Sequence, residues 1–105
     1  MIARTWHGIT RSSEAEAYRN YVIKTGVKDL GSTKGNLGIQ IWQQKDGDIT
    51  HIWVVSWWNH YDSIKSFAGD DIEIARYYDL DKNYLLELEP RVQHYDSWAF
   101  QPATR

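Results

Sequence analysis

The stretch Ile49 to Trp58, Ile-Thr-His-Ile-Trp-Val-Val-Ser-Trp-Trp, decides the fold. Laid out as a strand, it sends His51, Trp53, Val55 and Trp57 to one side and Ile52, Val54, Ser56 and Trp58 to the other, so both faces are bulky. A strand with one wet face alternates apolar and polar residues, whereas one that is apolar on both faces is covered on both. The rest of the chain offers only a few helical stretches, enough to blanket one face of a sheet in a layered α+β domain. A second copy of the chain is the expected cover for the other face.

Composition narrows the classes. With 105 residues, 42% hydrophobic and 25% charged, the chain reads as one globular domain. Six Trp, seven Tyr and two Phe are an excess that cores, interfaces and small-molecule pockets all use. A net charge of −2 without a Lys/Arg stripe argues against a nucleic-acid partner. The absence of cysteine removes disulfides, thiolate nucleophiles and Cys-type metal sites. The start MIARTWHG has no apolar leader, and no apolar run approaches the roughly 20 residues that span a bilayer. The expectation is a cytoplasmic protein with no membrane partner.

The order of elements follows from local pattern. Ile2 to Thr10 alternates as a strand, and Ser12-Ser13 with Glu16 offers an N-cap for a helix from about Ser13 to about Lys28. The glycine-rich stretch 28–38 reads as a loop. Leu37 to Gln44, the turn at Asp46-Gly47 and the Trp-rich strand form a hairpin. Asn59 or Asp62 caps a short helix carrying Ile64, Phe67 and Ala68, which Gly69 ends. Asp70 or Asp71 caps a second helical stretch, Ile72 to Tyr78; an acidic, frayed segment then runs to Pro90, and Arg91 to Trp98 is the last strand. The order is βαββαβ, the ferredoxin-like α+β plan of a four-stranded antiparallel sheet with helices on one face. One domain occupies 1–98, with a C-terminal tail at 99–105.

Several segments together carry a family resemblance: MIARTWHG, Gly35-Asn36-Leu37-Gly38, Ser56-Trp57-Trp58, Phe67-Ala68-Gly69-Asp70-Asp71-Ile72-Glu73 with Ala75-Arg76-Tyr77-Tyr78, and Leu85 to Tyr95. They resemble antibiotic biosynthesis monooxygenase-like domains, closest to an uncharacterised branch. The resemblance implies a homodimeric α/β barrel in which two sheets pack face to face and each subunit keeps a pocket between sheet and helices. It also implies one of three activities: cofactor-free oxygenation of a small phenolic or quinol-like aromatic by molecular oxygen, haem degradation, or ligand binding without turnover. The haem-degrading branch uses a strand Asn, a helix Trp and a ligating His; by spacing these fall at His7, Phe67 and Tyr77, and no residue type matches. Tyr can ligate haem iron in other proteins, but haem degradation ranks below cofactor-free oxygenation here.

Candidate site residues follow. By the same spacing, the face of the first strand that carries His7 lies beneath the helices, where an imidazole can take a phenolic proton. The bland reading is a hydrogen-bonded buried histidine. Tyr77 is the hydroxyl partner, or a residue packed at a rim. Tyr21, Trp58 and Phe67 supply apolar walls or simply core. Arg76 holds an anionic group or pairs with Glu73. His94 either neighbours His7 or faces the barrel. No His-x-His pair or HExxH motif is present, so no metal is expected. The stretch Gly31 to Gly35 is not a phosphate loop, because a strand follows it rather than a helix.

Overall fold

The computed structural model describes residues 1–98; the expected tail at 99–105 lies outside the described residues. Four strands, β1 (Ile2–Arg11), β2 (Asn36–Asp46), β3 (Ile49–Trp58) and β4 (Gln93–Asp96), form one antiparallel sheet in the order β2-β3-β1-β4. This is the ferredoxin-like arrangement, with the Trp-rich β3 between β2 and β1. The helical segments are α1 (Ala15–Val22), α2 (Lys28–Gly31), α3 (Tyr61–Ala68) and α4 (Asp81–Tyr84). Among the described residues, no helix is long and apolar enough to cross a membrane.

The two faces of β3 divide as its alternation predicts. Thr50, Ile52, Val54, Ser56 and Trp58 are buried, and Ile52, Val54 and Trp58 join Tyr18, Val22, Leu30 and Ile64 from the helices in the core. On the opposite face Val55 is buried, but His51, Trp53 and Trp57 are only half-buried. The register aligns Trp42 of β2 with Trp53, and Thr5 and Ala3 of β1 with Val55 and Trp57. An apolar sheet face therefore lies open in the single chain. The β2–β3 turn has two residues, and Gly47 at its first position takes φ +59°, where any other residue would be strained.

The structure departs from the sequence reading in three places. Helical backbone continues to Gly31 through a π-helical turn, Ile23–Val27, where a loop was expected from Lys28. The Ser12 hydroxyl does not cap the helix; it donates to the Gly47 carbonyl, 2.8 Å away, and ties the hairpin turn to the end of β1. The stretch 72–78 is not helical. Its hydrogen bonds go sideways, Ala75 N–H to Pro90 O (2.9 Å) and Val92 N–H to Glu73 O (2.8 Å), with Ile74 bridged to Arg91. Pairing with the segment before β4 has overridden the helical periodicity. That same pairing separates Arg91 from β4, which is shorter than the expected Arg91 to Trp98.

Candidate functional site

His7 is the first correction. β1 buries Ile2, Arg4, Gly8 and Thr10 beneath the helices, so the odd residues point to the open face, and His7 pairs across the sheet with Trp53. There His7 Nδ1 donates to Glu89 Oε2 at 2.6 Å, and its Nε2 meets His51 Nδ1 at 2.9 Å. Gly8 explains the parity: a Cβ there would sit 2.6 Å from Trp6 Cη2 and 2.7 Å from Leu85 Cδ2, so that side of β1 is already filled by ring and core.

The even face carries a cavity of ≈ 50 Å³ between sheet and helices. Its apolar wall is Trp6, Val22, Leu30, Val54 and Phe67, and its polar groups include Arg4, Tyr18, Ser56, Arg76, Tyr78 and Asp81. Thr25 and Gly26 reach it from the π-helical turn, a local helix distortion that recurs at functional sites. Trp6 makes no hydrogen bond of good geometry through its buried indole N–H among the described residues, although the Tyr77 hydroxyl lies beside it. Such a donor is costly unless a ligand or water satisfies it.

Two charged groups define the electrostatics. Asp81 is 4% exposed; its Oδ1 accepts the Tyr18 hydroxyl at 2.9 Å and its Oδ2 the Tyr78 N–H at 2.6 Å. Burial raises the carboxyl pKa above its ordinary value, while these two hydrogen bonds pull it back only in part. Arg4 is 3% exposed, and burial brings its guanidinium down to about 10, still cationic at neutral pH. Its Nη1 donates to Ile72 O at 2.6 Å and to His94 Nε2 at 3.3 Å. Burial, and then the neighbouring Arg4 charge, lower the His94 pKa and favour the neutral ring.

At the mouth, exposed Arg76 stacks on Phe67 and Tyr78, donates to Phe67 O at 3.1 Å and pairs with Asp29 at 3.4 Å. Tyr78 donates its hydroxyl to the same Asp29 oxygen at 2.7 Å. Glu73, the partner considered for Arg76, pairs instead with Arg91, because without a helix the three-residue spacing no longer brings the first pair together.

The cavity thus gathers Phe67 and Arg76 from the expected residues, with His94 one contact removed through Arg4. Trp58 is fully buried core, its indole N–H donated to Ser56 Oγ at 2.9 Å. Tyr21 accepts the Leu80 N–H at 3.0 Å and stacks on Tyr18 and Tyr84. Tyr77 and Tyr78 are not neighbours on a helix. Tyr77 packs edge-on to Trp6 and gives its hydroxyl to the Glu89 carbonyl; burial, then the Glu89 and Asp81 charges, push its pKa up to about 12. Sequence reasoning missed Arg4, Trp6, Tyr18 and Asp81. The available signal was an arginine between Ile2 and Trp6 on one strand face, and Gly26 inside a helical pattern.

No family model and no curated protein matches the chain. Solved structures do. A candidate antibiotic biosynthesis monooxygenase from Bacillus cereus has a TM-score of 0.66 at 9% identity, over 95% of this chain and 97% of its own. A second protein so described, from Deinococcus radiodurans, has a TM-score of 0.61 at 10% identity, over 99% of both chains. A mutant of MhuD with two manganese protoporphyrin IX molecules bound per active site has a TM-score of 0.61 at 11% identity, over 98% of this chain and 100% of its own. At these identities the shared property is the fold: the chain is built like antibiotic biosynthesis monooxygenase-like structures.

Proposed function

We propose that the cavity between sheet and helices binds a small phenolic or quinol-like aromatic and oxidises it with molecular oxygen, without a cofactor. The observation that carries this reading is a buried carboxylate and a buried guanidinium lining one cavity whose wall is largely apolar. Asp81 takes the proton from the substrate hydroxyl, the Arg4 charge holds the ligand in the cavity, and the resulting anion gives electrons to oxygen far more readily than the neutral phenol. For an activated ring CH2, one oxygen atom becomes the new C=O. The other leaves as water with both hydrogens, and all four electrons come from the substrate.

The cavity is about a third of the roughly 150 Å³ that admits benzene, so a ring enters by displacing Phe67 and Arg76 at the mouth. A haem reading finds no support in the residues present. The Tyr77 hydroxyl is engaged by the Glu89 carbonyl and no histidine lines the cavity. The open face is where a second copy packs in this reading, because its tryptophans form an apolar patch that a monomer does not leave in water.

Oxygen uptake with a panel of quinols, anthrones and flavonoids tests the chemistry. Asp81→Asn is expected to lower kcat by about 10²- to 10⁴-fold, with His7→Ala close to wild type. Loss of activity in His7→Ala with retention in Asp81→Asn would refute the assignment. Binding without oxygen consumption by any member of the panel would favour a non-catalytic binding protein.

A further inference from the structure

Arg4 is unusual for a buried cation. No carboxylate lies within salt-bridge distance of it among the described residues, where the ion pairs are His7–Glu89, Arg11–Glu14, Lys65–Asp62, Arg76–Asp29 and Arg91–Glu73. Asp81 lines the same cavity but makes no ion pair with Arg4; its two oxygens accept from Tyr18 and Tyr78. The hydrogen bonds of Arg4 all leave from Nη1, to Ile72 O and His94 Nε2. Its Nε and Nη2 donate to no protein acceptor among the described residues, although the guanidinium offers five donors in a rigid fork. Buried charges are normally paired, because desolvation is otherwise uncompensated. The aromatic face of Phe67, 5.7 Å from the guanidinium carbon, is the remaining favourable contact, and Arg76 lies over the same ring at 4.9 Å.

We propose that Arg4 is the anchor for a carboxylate carried by the ligand, so that the cavity takes a small aromatic acid. This rests on the pocket reading above and narrows its substrate class to hydroxyaryl carboxylates. The carboxylate supplies the missing negative charge at the unused Nε and Nη2 edge, in the two-point geometry that guanidinium and carboxylate favour. The ring occupies the apolar space between Trp6, Val54 and Phe67. His94, held neutral, acts as an acceptor that keeps Nη1 turned away and leaves the other edge of the fork for the ligand.

Calorimetric titration of the full chain with 4-hydroxybenzoate and with 4-hydroxybenzamide tests this, because the two share ring, phenol and shape and differ in charge. The acid is expected to bind about 10- to 100-fold more tightly than the amide. In Arg4→Met that preference falls to near unity; in Arg4→Lys, which keeps the charge and loses the fork, a reduced preference remains. Equal affinities in the wild type, or a preference that survives Arg4→Met, overturns the anchor while leaving the phenolic pocket standing. Failure of both compounds to bind at millimolar concentration overturns the anchor and the pocket together. If Arg4→Met does not fold, the wild-type ratio and Arg4→Lys decide alone, and a wild-type ratio near one is then the overturning result.

Discussion

Trp42 offers a direct test of how the open sheet face is used. Its side chain lies on edge strand β2, 49% exposed, with its indole N–H donated to Gln40 Oε1 at 2.9 Å, so the monomer core depends little on it. Taking an indole side chain as roughly 250 Å², a partner sheet covering the exposed half removes about 120 Å² from water. At about 25 cal/mol per Å² this is about 3 kcal/mol for each copy, and a symmetric interface counts it twice. Ordering of the Trp42 side chain and imperfect packing return part of that gain, so a net loss of about 3 kcal/mol is expected for Trp42→Ser, or about 100-fold in the dimer Kd. Sedimentation velocity across a concentration series reads this, with far-UV circular dichroism to verify the fold. Tyr61→Ser is the control: Tyr61 is 46% exposed but sits on α3, on the other side of the sheet, and its loss should leave the dimer intact. A wild-type monomer at tens of micromolar, or a Kd untouched by Trp42→Ser, would show that the open face does not pair with a second copy.

Gly8→Ala drives a methyl group into Trp6 and Leu85, and should cost about 1–3 kcal/mol in urea unfolding; an unchanged midpoint would show that the β1–core packing is misread. Asp81 makes a pH prediction of definite sign. Its folded pKa is raised above the ordinary 3.8, so between those values the native state binds the proton more than the unfolded state does. Its contribution to stability therefore falls as pH rises through that window and is constant above it. The stability of Asp81→Asn relative to wild type should climb over the same window and then level off, and a flat difference curve would contradict a buried, desolvated carboxyl.

The fold was legible because its determinants are local and redundant. Two bulky faces on 49–58, a glycine at the hairpin turn and Gly69 after an amphipathic stretch each point to one arrangement. The stretch 72–78 was misread because Ile72, Ala75 and Tyr78 share helical spacing, while the partner that captures their backbone, 90–92, is distant in sequence. The site was less legible for a related reason. Strand parity decides whether His7 or Arg4 faces the helices, and nothing within MIARTWHG fixes it; the choice is made by Trp6 and Leu85 closing over Gly8. Asp81 lies in an acidic run that reads as a frayed segment, and only the return of that segment against Tyr18 buries it.

In the proposed function the ligand site lies beneath the helices rather than on the open sheet face. The tryptophan indole N–H signals in a proton–nitrogen correlation spectrum separate the two, since Trp6 lines the cavity while Trp42, Trp53 and Trp57 line the opposite face. Titration with hydroquinone is predicted to move the Trp6 signal, whose donor makes no hydrogen bond of good geometry among the described residues, and to leave the other three in place. Shifts confined to Trp42, Trp53 and Trp57, with Trp6 unmoved at saturation, would place the ligand on the open sheet face instead.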